Sequence, residues 1–378
     1  MSNSVFKRII LPGLVLQSVL IGGGYATGRE LIEFFFSSGP LGGLLGMLVA
    51  TAAISLISMF SFELSRMSQS YTYRSFIKQL LGKFWFLYEL CYFGLGILVL
   101  AVVGSAAGQI VTTHLSIDAN IGTIALMALV CALVAWGSKL MEAVLSGWSF
   151  LLYGTYAVFV YLYLGEYGEN LDVKVLQGAI EDTWFMNAIK YVGYNIATLP
   201  LILFVVAHMT SRKDALTAGA FAGPLAMAPA LLFYFAMVAT PGDILNAAVP
   251  SDFMMSQLDA PWLQTIFYVV LFGTFVETCA AFIHALNERV AEVYTEKKNA
   301  EIPKVLRIAI AAVILMGTIY LSGRVGLIGL IAGGYGTLTW GFVVLFILPI
   351  LGWGIYNIFY KGIKSAASDE STNSAVPS

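Results

Sequence analysis

Ile21-Gly22-Gly23-Gly24-Tyr25-Ala26-Thr27-Gly28-Arg29-Glu30 interrupts an apolar run that extends from about Ile9 to Phe36. A glycine in a helix interior costs about 1 kcal/mol relative to alanine. Here three stand in a row, a fourth follows four residues on, and a charged pair comes directly behind. A segment whose only task is to span a bilayer has no use for them. The run is 28 residues long, roughly 42 Å as a continuous helix against a hydrocarbon core of about 30 Å, so it has length to spare for a break. The stretch reads as an unwound glycine hinge between two half-helices. Non-helical backbone at membrane depth is tolerated only where protein buries it or where it lines a cavity. The hinge therefore predicts a site.

Composition sets the class around that hinge. Hydrophobic residues make up 59% of the 378 and charged residues 11%, with a mean hydropathy of +0.83. Soluble domains carry about 25% charged residues, so the chain is a polytopic membrane protein. No basic stretch interleaved with aromatics points to nucleic acid. The three cysteines, Cys91, Cys131 and Cys279, lie in apolar segments and are odd in number, which excludes a disulfide framework. Lys7-Arg8 precede an apolar stretch with no small-residue cleavage site before Arg29, so the first segment is expected to be a retained span rather than a signal peptide.

Apolar runs fall at about 9–36, 40–65, 84–113, 121–138, 142–165, 182–209, 214–240, 261–288, 305–321 and 325–360, followed by a hydrophilic tail over 365–378. That predicts an all-α membrane protein of ten transmembrane helices in a single domain over 1–364, with a disordered cytoplasmic tail. If the N-terminus is cytoplasmic, the inner segments hold 16 of the 20 basic residues, from Lys7 and Arg8 to Lys361 and Lys364. Lys174, Lys190 and Arg324 fall outside, and Arg29 lies within a span. The positive-inside rule then places both termini in the cytoplasm. The last run would be about 54 Å as one helix, and Gly333-Gly334-Tyr335-Gly336 and Pro349 are candidate points at which to kink or divide it.

The two halves, about 9–165 and 182–360, share one order: a long interrupted span, a glycine-rich second span, a long third and a short fourth. The counterpart of the first hinge is Gly193-Tyr194-Asn195-Ile196-Ala197-Thr198-Leu199-Pro200 in span 6. An odd number of spans per half inverts the second half. Paired interrupted helices in an inverted repeat are the best sequence-level pointer to a secondary transporter's site.

The string Gly22 to Leu31, followed by Glu33-Phe34-Phe35, resembles the signature of bacterial YkvI-like membrane proteins. That family is similar to the amino acid–polyamine–organocation superfamily with the LeuT-type five-plus-five inverted fold. The resemblance implies a bacterial cytoplasmic membrane and alternating access. It also implies a substrate held between discontinuous spans 1 and 6, against spans 3 and 8.

The candidate substrate-binding residues are Gly22, Gly23, Gly24, Tyr25 and Thr27 of span 1, Gly104 of span 3, and Tyr194, Asn195 and Thr198 of span 6. The start of the second half-helix, near Tyr25 to Gly28, is expected to offer free N–H groups and a positive dipole end to a substrate carboxylate. Asn195 both donates and accepts, which suits a zwitterion's head group. The alternative for the glycines, and the stronger one for Gly104, is close helix packing. Ser18 and Ile21 at the end of the first half-helix, with Thr274, Glu277 and Thr278 on one face of span 8, form a candidate ion-coupling site. Sodium fits that donor set, as LeuT-like proteins place it between spans 1 and 8. A proton on Glu277 fits as well, and so does a static hydrogen bond to a neighbouring helix. The lysine that proton-coupled relatives often carry in mid-span 5 is absent between Glu142 and Glu166, which favours sodium or Glu277 itself as the carrier.

Arg29 and Glu30 cost at least about 2.5–3.5 kcal/mol each on insertion scales, so they are candidate gate residues on the outer side of the hinge. Glu33, Lys190 and Arg324 are their candidate counter-charges, and static pairing that locks the half-helix is the alternative. No nucleophile elbow, phosphate loop or metal-ligand spacing argues for an enzyme, and no cofactor is expected beyond Na+ or H+ as coupling ion. The leading expectation is a symporter of a small amino acid or related zwitterion. The alternative is a nutrient receptor of the same fold, like spore-germination subunits, with a scaffold role third.

Overall fold

The computed structural model describes residues 5–136, 148–169, 171–176, 178–298, 300 and 302–361, and among them every regular element is helical. Lys139, Lys364, the junction of the fourth and fifth apolar runs at 138–142 and the tail over 365–378 lie outside the described residues. The chain opens with α1 (Leu11–Leu20), α2 (Gly23–Ala26) and α3 (Arg29–Phe34), the fragments of the first apolar run. Then come α4 (Pro40–Ser68), α5 (Tyr73–Leu81), α6 (Trp85–Leu115), α7 (Ala119–Trp136), α8 (Trp148–Tyr167) and α9 (Leu171–Leu176). The rest comprises α10 (Trp184–Asn195), α11 (Arg212–Ala239), α12 (Pro250–Gln257), α13 (Pro261–Lys298), α14 (Lys304–Gly329) and α15 (Gly336–Phe342) with its flanking π-helical turns. Among the described residues, six helices are long and apolar enough to cross a membrane, with a shorter apolar helix at Ala119–Leu133.

Side-chain contacts define the two ends of the bundle. At one end Arg8 pairs with Asp214 at 3.2 Å, Arg66 forks onto Glu63 at 2.8 Å, and Arg289 reaches Glu89 at 3.0 Å while lying over the rings of Tyr73 and Tyr92. These contacts gather the starts of α1, α5, α6 and α11 with the ends of α4 and α13. At the opposite end the segment 240–260 packs across the bundle. His114, from the end of α6, and Tyr268, from the start of α13, meet Asp252 at 2.8 and 2.7 Å. Tyr163 and Tyr167 of α8 both reach Gln257 at 2.8 Å.

Pro200, Pro224 and Pro229 sit in helix interiors, and each strips one carbonyl of its helical partner. Neighbouring helices supply the missing donors. Pro229 cannot bond Leu225 O, which instead accepts from Gln17 Nε2 of α1 at 2.6 Å. Pro224 frees Ala220 O, which accepts from Ser55 Oγ of α4 at 2.9 Å. A Cβ on Gly219 would fall onto the Met59 backbone and one on Gly223 onto Ser55 and Thr51, so α11 lies against α4 at a distance only glycine allows.

The third proline corrects the expectation for span 6. Gly193 to Pro200 does not unwind. α10 passes at Ile196 into a 3-10 helix, Ile196–His208, with αR dihedrals at Asn195 and Ile196. In a 3-10 helix residue i+3 donates to residue i, so Pro200 leaves Ala197 O free, and Tyr88 Oη of α6 donates to it at 2.7 Å. The segment thus changes pitch instead of breaking, because its one orphaned carbonyl is met from outside. Tyr88→Phe strands that buried carbonyl. We expect a loss of about 1–3 kcal/mol, read as a lowered Tm of the detergent-solubilised protein, whereas Tyr71→Phe, which carries no such bond, serves as the neutral control.

The last two apolar runs also differ from expectation. No loop separates them at 321–325; the break is at Gly326, whose φ of +74° and ψ of 166° lie outside helical space. Only glycine adopts that φ readily. Beyond it the chain stays helical to Lys361, in alternating α and π turns.

Candidate functional site

The first apolar run is broken twice. α1 ends at Leu20, Ile21 takes φ −88° and ψ 89°, and Gly22 is extended. α2 is a single turn, after which Gly28 at φ +77° re-aims the chain into α3. Gly23 and Gly24 are therefore helical, which corrects the expectation of a three-glycine hinge. Their role is room. A Cβ on Gly22 would stand 3.2 Å from Thr278 Oγ1, and one on Gly23 would stand 2.9 Å from Val103 and 3.0 Å from Phe275. One on Gly24 would collide with the carboxylate of Glu30.

Several N–H groups of the turn are already bonded, Gly28 N among them, to Tyr25 O at 2.9 Å. Gly23 N donates to Thr278 Oγ1 at 2.8 Å, Ala26 N to Gly22 O at 2.9 Å and Arg29 N to Thr27 Oγ1 at 3.1 Å. A turn of four residues also sums too few peptide dipoles to make an anion site. The space beside Gly24 is filled by the carboxylate of Glu30, whose other oxygen accepts from the Tyr194 hydroxyl.

A cavity of about 290 Å³ lies against the break. Its wall contains Ser18, Ile21, Gly22, Gly23, Gly24, Tyr25 and Glu30 from the first run, Tyr194, Asn195 and Thr198 from the sixth, and Glu277 and Thr278 from α13. Tyr92, Leu95 and Val99 of α6 and Ala281, Phe282 and Ala285 of α13 extend it towards the end of the bundle that carries the arginine pairs. Ser18, Val19 and Ala281 are exposed along that side. The cavity accordingly opens towards that end.

Three residues singled out from the sequence lie elsewhere. Thr27 is spent on the second break, donating to Gly24 O at 2.6 Å while its carbonyl accepts from Ser251 N at 2.9 Å. Gly104 packs on α7, where a Cβ would stand 2.8 Å from Met127, and its carbonyl accepts from Thr123 at 2.8 Å. Thr274 is buried one turn beyond Thr278 and donates to Val270 O at 2.9 Å. Ser18, Ile21, Glu277 and Thr278 do share the cavity wall, while the Asn195 amide donates back to Tyr191 O at 3.1 Å and Thr198 donates to Asn195 O at 2.8 Å.

Arg29 and Glu30 also separate. Adjacent helical residues diverge by about 100°, and here Glu30 turns back into the cavity while Arg29 points to the closed end. The Arg29 Nη1 atom donates to Leu245 O at 2.7 Å and Ala247 O at 3.1 Å, and Nη2 lies 3.6 Å from Glu33. Of the candidate counter-charges only Glu33 is met. Tyr335 stacks on Tyr194 with ring centroids 4.5 Å apart and closes the cavity beside Glu30. The sequence marked the glycines around Tyr335 as a kink and gave no signal for its ring.

Set beside proteins of known structure, the fold has counterparts. An Eremococcus coleocola manganese transporter, in complex with an aromatic bis-isothiourea substituted compound, superposes with a TM-score of 0.53 over 92% of this chain and 78% of that one, at 11% identity. Mhp1 in its inward-facing conformation gives 0.52 over 89% and 76%, at 15% identity. The chain shares the fold of these two proteins. A Na+-coupled sialic acid symporter gives 0.50 over 92% and 86%, at 12% identity. In sequence, the chain is 21% identical over 322 residues to the uncharacterized membrane protein YkvI of Bacillus subtilis (strain 168), covering 82% of this chain and 86% of that protein. No protein-family model matches.

Proposed function

We propose that the chain is an ion-coupled secondary transporter of a small amino acid or related amine-bearing solute, working by alternating access. The observation that carries it is the cavity at the break between α1 and α2, walled by the first and sixth apolar runs and open towards the end of the bundle that carries the arginine pairs. Non-helical backbone at membrane depth is tolerated only where protein buries it or where it lines a cavity. The chain then crosses the bacterial cytoplasmic membrane ten times, as two inverted halves of five, with both termini in the cytoplasm. The arginine pairs at the cavity's open end support that orientation, which makes this the inward-open state. Closing it is a rocking of the spans that carry α1, α4, α10 and α11 against α6 and α13. Ser18, Ile21, Glu277 and Thr278 are the residues we assign to the coupling ion, sodium or a proton. Thr274, already committed to Val270 O, drops out of that set.

Purified protein in proteoliposomes should accumulate a radiolabelled amine-bearing solute when a sodium or proton gradient is imposed, and should not in its absence. Glu277→Gln should uncouple uptake from the ion. Wild-type ion dependence with normal kinetics in that variant would remove Glu277 from the coupling site. A receptor of the same fold would bind solute in these vesicles and accumulate none.

A further inference from the structure

Among the described residues, the wall of the cavity contains two carboxylates, Glu30 and Glu277, and no lysine, arginine or histidine. Arg289 lies at 4.0 Å from the Tyr92 ring on the open side, but it is paired with Glu89 at 3.0 Å and adds no free positive charge. Glu30 is 5% exposed and receives one hydrogen bond, from Tyr194. An ionised carboxylate has about four acceptor sites, and leaving them unmet in a buried place is costly. Tyr25 lines the same cavity, is 4% exposed, and buries a hydroxyl with no hydrogen-bond partner among the described residues. Stacked Tyr194 and Tyr335 complete an aromatic wall next to the acid.

The contrast with an amino-acid site is in the charge. A zwitterion brings one carboxylate and calls for a positive charge to balance it; here Glu30 fills the space beside the glycine turn, and the cavity wall carries no cationic side chain among the described residues. A divalent metal is a poor fit, because among the described residues no three of His, Cys, Asp and Glu gather to hold one. We infer that the solute bound here is a small organic cation recognised through an ammonium group, with Glu30 as its counter-charge and the Tyr25 hydroxyl as a further acceptor. A carboxylate on the solute is not required. The inference rests on the transporter assignment only in taking this cavity as the solute site.

Three probes that differ by one group each decide it: cadaverine, lysine, which adds a carboxylate, and norleucine, which removes the distal ammonium. Binding to the full-length protein in nanodiscs is read by thermal shift, and flux by uptake into proteoliposomes. Cadaverine should bind at least as tightly as lysine, and norleucine at least about tenfold more weakly than either. Glu30→Gln, which keeps the bond to Tyr194, should weaken cadaverine by at least about tenfold. Tyr25→Phe removes an unpartnered hydroxyl, so it should fold at least as well as the parent and still weaken cadaverine severalfold. Norleucine binding as well as lysine, an unchanged cadaverine affinity in both variants, or no binding of any probe overturns the charge assignment. Saturable norleucine uptake would do so while the transporter assignment stands. Cadaverine binding without flux would do the reverse.

Discussion

Gly24→Ala is expected to reduce uptake by at least about tenfold while leaving the protein folded, with only a small fall in Tm. The substitution is helix-favouring in itself by about 1 kcal/mol, and Gly24 has no positive φ that a side chain would strain. The added methyl group meets one thing above all, the near oxygen of Glu30, with Val102 ordinarily packed at 3.6 Å. It must therefore push the carboxylate away from the turn and off its bond to Tyr194. Losing one charge-assisted hydrogen bond is worth about 1.5–3 kcal/mol, and each 1.4 kcal/mol is a factor of about ten in an equilibrium constant. The measurement is the initial uptake rate in proteoliposomes, set against Tm for the same preparations. A collapse of Tm together with uptake would mean general damage. Uptake at the parent rate would mean that the position of Glu30 does not matter.

The same residues show how far a sequence carries such a site. The break was legible because glycine has one meaning in a membrane span that length alone does not require, and the backbone does leave helical geometry at Ile21 and Gly22. The further break at Gly28 was not, since a lone glycine gives no hint of whether φ is positive. Glu30 was legible as a buried acid but not as a cavity wall. Which way it turns depends on Gly28 re-aiming α3 and on a tyrosine 164 positions away in sequence. In span 6, Pro200 announces a missing donor, yet the outcome is decided by Tyr88 on another helix, and the segment tightens instead of opening. Tyr335 and the segment 240–260 were silent for the same reason. Their effect comes from where tertiary packing carries them, and neither periodicity nor charge records it.

At the closed end the largest effect is expected from Arg29→Ala. Its guanidinium is 5% exposed and joins α3 to the backbone of the crossing segment through Leu245 O and Ala247 O, with Glu33 alongside. Ser251 N to Thr27 O at 2.9 Å and Tyr156 Oη to Ala26 O are the other bonds between this closure and the broken run. If the end is the outer gate, these bonds exist in the inward-open state and must be surrendered when the outer side opens. Their loss then shifts the population outward. Hydrogen bonds to a charged group contribute about 1.5–3 kcal/mol, so the ratio of outward-open to inward-open protein should rise by roughly 10–150-fold. Ser251→Cys, in a chain whose three native cysteines are replaced by serine, reports that opening through its reaction with a membrane-impermeant thiol reagent applied from outside. The Arg29→Ala version should label at least about tenfold faster and transport more slowly, because an equilibrium held to one side starves the return step. Arg29→Lys should fall between them, since one ammonium cannot hold two carbonyls and a carboxylate in the fixed geometry of the guanidinium fork. Equal labelling in all three would show that the closed end does not depend on Arg29, and the gate would have to be sought at the Tyr194–Tyr335 stack instead.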